Sequence, residues 1–91
     1  MVLPDSTSLH RISDQYASEQ VLVLPDDFRL YAHNELCWTV ITARWSVDGR
    51  PHGSQEVVQV DLGERAVEFA VVRLCQIADR KGVFRLPSAI R

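Results

Sequence analysis

"CWTVITARWSVDGRPHGSQEVVQV", residues 37 to 60, decides how the rest of the chain is read. Cys37 to Val47 is rich in Trp, Thr, Val and Ile, side chains that suit a pleated, half-buried surface. Successive side chains of a strand point to opposite faces. The odd positions Cys37, Thr39, Ile41, Ala43, Trp45 and Val47 make the better core face. The even positions Trp38, Val40, Thr42, Arg44 and Ser46 make the other. Asp48-Gly49 supplies the positive φ that a tight hairpin needs. Pro51 has no N–H to give a ladder, so the spacing predicts a longer loop from Asp48 to Gly53. A returning strand then runs from Ser54 to Leu62. Val58, Val60 and Leu62 face inward on this reading, and Gln55, Val57, Gln59 and Asp61 face out.

Phe28 to His33 also alternates, with Phe28, Leu30 and Ala32 inward, and Asn34-Glu35 reads as the turn that follows. Upstream, Leu9, Ile12 and Tyr16 fall at helical spacing over Ser8 to Gln20, with Asp5, Ser6 or Ser8 available as the cap. Val21 to Leu24 either extends that helix or forms a short strand, and Pro25-Asp26-Asp27 breaks the chain. Downstream, Asp61-Leu62-Gly63-Glu64 fits a capping box. It opens a helix predicted from Gly63 to Lys81, with a stripe of Val67, Ala70, Val71, Leu74, Ile77 and Ala78. Gly82 is the expected stop, and Val83 to Leu86 a short edge strand before Pro87. The order is α-β-β-β-α. It predicts an α+β two-layer sandwich, a three-stranded antiparallel meander with the C-terminal helix packed on one face. One domain is expected over residues 1–91, with loose ends at about 1–7 and 87–91.

Composition narrows the function. The chain has 91 residues, 46% of them hydrophobic and 24% charged, with a net charge of −2. That is the make-up of a small soluble domain rather than a disordered one. The balance lacks the basic surplus that a general nucleic-acid or anionic-membrane binder carries. Lys81 is the one lysine among ten cationic side chains, an arginine bias that reads as a GC-rich, bacterial genome. The start, MVLPDSTS, has Pro4 and Asp5 where a signal peptide needs an apolar run. No stretch is long enough to span a bilayer, so no membrane association is expected. The expected location is the cytoplasm, with Cys37 and Cys75 as thiols.

No catalytic, cofactor or metal site is read from the motifs. His10, His33 and His52, with Cys37 and Cys75, have no metal-ligand spacing. His33 and Cys37 are four residues apart with a predicted turn between them, and no nucleophile motif or Gly-rich phosphate loop occurs. The stretch Gly49, Arg50, His52 and Gly53 is first a turn, and second a small concavity of amides and an arginine for an anion. Two surfaces stand out instead. On the second helix, Phe69 and Val72 point away from the core stripe on the flank that carries Arg65 and Gln76. On the outer face of the sheet, Arg29, Tyr31, His33, Trp38, Arg44 and Gln59 place aromatics beside arginines, unless residues 1–24 cover them.

The α-β-β-β-α order, with CWTVITARWSVDGRPHG followed by a strand and an alanine-containing helix, resembles the double-stranded RNA-binding domain over about residues 8–80. The resemblance implies that topology and, with it, binding to duplex RNA. That family grips RNA through a Gly-Pro-x-His loop after its first strand and a Lys-Lys pair opening its last helix. The matching stretches here read His33-Asn34-Glu35 and Gly63-Glu64-Arg65, so no functional residue carries over. The leading expectation is a non-enzymatic protein–protein interaction module that self-associates as a homodimer through Phe69 and Val72, or binds a protein partner through the sheet face around Trp38 and Tyr31. The alternative is RNA binding by Arg29, Tyr31, Trp38 and Arg44.

Overall fold

The structure is a computed structural model that describes residues 4–83, with side chains through residue 80. Helix α1 spans Ser6–Gln20. It begins two residues earlier than the periodicity suggests, because Asp5 caps it: Asp5 Oδ1 accepts the Ser8 N–H at 2.7 Å. That backbone bond, helped by the Ser8 side chain, holds the Asp5 carboxyl below its ordinary value. The helix ends at Val21, which lies in the left-handed region with φ 57°. Val21 N–H donates to Ser18 O, and Leu22 N–H to Ala17 O at 2.8 Å. These paired bonds satisfy the last carbonyls of a helix end. Val21 to Leu24 therefore neither extends α1 nor forms a strand.

Strands β1 (Arg29–Glu35), β2 (Trp38–Val47) and β3 (Arg50–Gln59) form one antiparallel sheet in the order β1-β2-β3. A single 3-10 turn, Val60–Leu62, leads to α2 (Glu64–Val83). This is the predicted α-β-β-β-α, α+β arrangement. Thr39, Ile41, Ala43 and Trp45 are buried, as the odd face of β2 requires. They pack with Phe28, Leu30 and Val58 against Leu9 of α1 and Val67, Ala70, Val71, Leu74, Cys75 and Ala78 of α2. Burying a side chain such as Leu30, Ile41 or Leu74 contributes about 1.5–3 kcal/mol. Helix α2 lies across β2 and β3, while α1 lies against β1 and beside α2. Both helices thus occupy one face of the sheet. The α1 segment does not cover the other.

Both hairpin turns differ from the reading of the sequence. The pairing Val47↔Arg50 leaves only Asp48 and Gly49 between β2 and β3. Both have positive φ, 52° and 79°, which suits a tight two-residue turn. Pro51 is tolerated inside β3 because that strand is at the sheet's edge and the absent N–H falls on the unpaired side. The first hairpin turns at Leu36 and Cys37, not at Asn34-Glu35, since Glu35 still pairs with Trp38. Cys37 is consequently exposed at the turn and is not a core residue of β2. Asn34 remains in its strand, where its Oδ1 accepts the Thr39 hydroxyl at 2.8 Å.

The far end of β3 also departs. Val60–Leu62 winds into the 3-10 turn, leaving Val60 half-buried and Leu62 exposed, so Leu62 does not face inward. Asp61 lies within that turn and Gly63 immediately precedes the helix, so the expected capping box does not form at Asp61. Helix α2 runs through Gly82 to Val83; residues 84–86 of the expected edge strand lie outside the described residues.

Candidate interaction surface

Strand pairing places the outward side chains in rows across the bare face of the sheet. One row is Glu35, Trp38 and Gln59. Next come His33, Val40 and Val57, then Tyr31, Thr42 and Gln55. The last holds Arg29, Arg44 and Gly53. All the outer-face residues singled out from the sequence are therefore brought together. Trp38 is 41% exposed, Tyr31 51% and Val57 57%. Val40 is 8% exposed among them and makes the floor.

The rows differ in charge from end to end. Arg29 and Arg44 are direct cross-strand partners, a pairing of like charges that destabilises a sheet unless something offsets it. Arg29 Nη1 donates to Phe28 O at 2.9 Å and Asp26 O at 3.3 Å. Arg44 has no hydrogen-bond or ion-pair partner among the described residues. Beyond Arg44, Gly53 contributes no side chain, and a shallow depression of about 750 Å³ opens among Arg29, Tyr31, Thr42, Arg44, Gly53 and Gln55. Asp27 stands at its rim. There its Oδ1 accepts the Ser46 N–H at 3.1 Å, in the place where β1 has not yet begun. The Ser46 side chain and N–H together hold the Asp27 carboxyl below its ordinary value. At the opposite end, Glu35 Oε1 lies 3.2 Å from His33 Nε2. The face is cationic at the Arg29–Arg44 end and acidic at Glu35.

The other sequence candidates separate. Phe69 is 63% exposed and Arg65 is exposed on α2. Val72 is half-buried in the groove between the helices, beside Ile12 and Tyr16 of α1. Gln76 Nε2 donates to the Tyr16 hydroxyl at 2.9 Å, closing that groove. Phe69 is thus open to solvent, while Val72 is partly packed against α1.

The stretch Gly49 to Gly53 makes no amide concavity, because Arg50 to Gly53 is extended and paired with Arg44 to Val47. The histidines are scattered. His10 Nε2 accepts the Leu30 N–H at 3.3 Å and covers part of the β1 edge, while His52 stacks on Trp45 with ring centroids 6.2 Å apart. Among the described residues, no cluster of three or more His, Cys, Asp or Glu is placed to hold a metal ion. Cys75 is buried, and that burial, with a lesser effect of Asp14, pushes its thiol up to about 12. It is held as the thiol and not the nucleophilic thiolate. No helix among the described residues is long and apolar enough to cross a membrane.

Two parts of the surface were not singled out from the sequence. Val40 and Val57 share the parity of Trp38 on their strands, so alternation contained that signal. The gap at Gly53 depends on the length of the turn, which is two residues and not the longer loop that Pro51 suggests. Comparison with protein-family models, curated proteins and solved structures finds no match to this chain.

Proposed function

We propose that this chain is a non-enzymatic protein-binding module whose working surface is the bare face of the sheet. One observation carries the reading. Trp38, Tyr31 and Val57 stand exposed around Val40 in one patch, while both helices lie on the opposite face. Exposed apolar side chains gathered in one place, rather than scattered singly, are what an interaction site presents. Aromatic and arginine side chains supply most of the energy in protein interfaces, and Trp38, Tyr31, Arg29 and Arg44 are all present here. The α2 flank of Phe69, Val72 and Arg65 is the weaker surface, since Val72 is already packed in the helix groove. The setting proposed with this reading is a bacterial cytoplasm, on the arginine bias and the two free cysteines.

RNA binding is the second reading, favoured by Arg29 and Arg44 lying beside Tyr31 on one face. The aliphatic floor at Val40 and Val57, the acid at Glu35 and the net charge of −2 weigh toward protein. Salt-sensitive shifts of the Arg29, Tyr31, Trp38 and Arg44 amides on adding RNA would put the second reading first.

The test is photo-crosslinking in the source cells, with a photoreactive residue placed in turn at Trp38, Tyr31 and Phe69. A discrete protein conjugate from Trp38 and Tyr31, and none from Phe69, is the expected result. A conjugate from Phe69 alone would move the surface to α2.

A further inference from the structure

We propose that the bare sheet face recognises itself: a second copy of this chain docks face to face, with the two-fold axis lying in the interface and running across the strands. The inference rests on the binding role proposed for that face. The observation behind it is the end-to-end asymmetry of the rows. A two-fold in that direction turns one end of the face onto the other and keeps each strand over its own equivalent. Glu35 then meets Arg29 of the partner subunit. Trp38 meets Arg44 of the partner subunit, in the arrangement of an arginine over an indole. Gln59 falls over the space left by Gly53 of the partner subunit. The middle rows bring Val40 onto Thr42 of the partner subunit and His33 onto Tyr31 of the partner subunit. Each match repeats on the other side of the axis, as an isologous contact demands.

The alternative two-fold, with its axis along the strands, places like row on like row. It stacks the Arg29–Arg44 row of one copy on that of the other, and like charges facing each other across an interface are repelled. Charge complementarity therefore selects one orientation. It also gives Arg44, which has no ion-pair or hydrogen-bond partner among the described residues, a partner, and sets Glu35 against the doubled positive charge of the opposite row. Sheets that pack face to face hold their strands within about 30° of each other, which this axis permits.

The size of the face sets the strength. Strand β1 has 7 residues. At about 3.3 Å per residue along a strand and about 4.8 Å between strands, the face is roughly 23 Å by 14 Å. That is roughly 320 Å² of sheet per copy, below what a stable dimer buries and in the range of weak, transient contacts. The dimer is accordingly weak and transient.

Sedimentation velocity over a dilution series, from low micromolar to near-millimolar, reads the dimer directly. The variants are Trp38→Asp, Arg29→Glu, Glu35→Arg, the double charge swap and Phe69→Asp, each checked for folding by circular dichroism. Trp38→Asp is expected to leave a folded monomer. Each single charge reversal weakens the dimer about tenfold or more, and the double swap restores it, because the two residues face each other across the axis. Phe69→Asp leaves it unchanged. A wild type that is monomeric throughout overturns the proposal. So does a dimer lost in Phe69→Asp but kept in Trp38→Asp, or a double swap no better than the worse single variant. A monomeric wild type that still yields a conjugate with another protein from Trp38 would end self-recognition and leave the binding role standing.

Discussion

Trp38 and Trp45 lie on the same strand and face opposite ways. Trp45 is 2% exposed and packs with Phe28 and His52, its ring centroid 6.0 Å from that of Phe28. Trp38 is 41% exposed on the bare face. Both tryptophans fit a β-strand equally well by propensity. Their difference comes from where the helices lie. Two helices on one side make a core there and leave the other side with aromatics that folding does not use. The contrast separates residues kept for stability from residues available to a partner.

The largest effect expected from breaking that contrast is on stability. Trp45→Ala should destabilise by about 3–5 kcal/mol in chemical denaturation, since it empties a buried site. Trp38→Ala should stay within about 0.5 kcal/mol of wild type, as an exposed substitution does. A chain of 91 residues holds a total of about 5–13 kcal/mol, so the first change removes a large fraction of it. Equal losses from the two substitutions would mean that the bare face is covered.

The two cysteines divide in the same way by reactivity. Cys37, exposed at the first turn, should react with a thiol reagent at once. Cys75, buried with its thiol pushed up to about 12, should react only as the protein unfolds. Rapid modification of both under native conditions would contradict the packing of α2 on the sheet.

A smaller effect should appear at Val21, where a β-branched residue occupies the left-handed region at φ 57° while its side chain is 85% exposed. Val21→Gly relieves that strain and should stabilise the helix side by about 1 kcal/mol, read as a raised melting temperature. Self-association through the bare face should be unchanged in the same variant.

The smallest effect is at Asp27, on the rim of the bare face. Its lowered pKa gives stability that is present above the unfolded value of 3.8 and is lost as pH falls through the lower, folded value. Asp27→Asn should therefore flatten the acid limb of the stability curve and leave the neutral region nearly level. An acid limb as steep as that of the wild type would mean that the Ser46 bond adds nothing.

Local pattern revealed the core half of this molecule more fully than the bare half. The alternation of Thr39, Ile41, Ala43 and Trp45 and the stripe from Val67 to Ala78 were readable because strand and helix periods differ. The turns were not. Whether Pro51 can sit in a strand depends on that strand being an edge, a fact of the whole sheet. Leu36 takes φ 54° at a turn where its type gives no signal, so Asn34-Glu35 looked the better candidate. The open face was visible as a set of residues, but not as a surface. Its exposure depends on α1 lying beside α2, and that placement follows from contacts such as Gln76 with Tyr16, distant in sequence.

The most direct measurement is a dilution series of two-dimensional N–H correlation spectra with the Trp38 and Trp45 indoles and the backbone amides assigned. The Trp38 indole and the Tyr31, Arg44 and Val57 amides are expected to shift together with concentration, while the Trp45 indole and the Phe69 and Val72 amides stay fixed. Movement of Arg65, Phe69 and Val72 with a stationary Trp38 would contradict docking through the bare face.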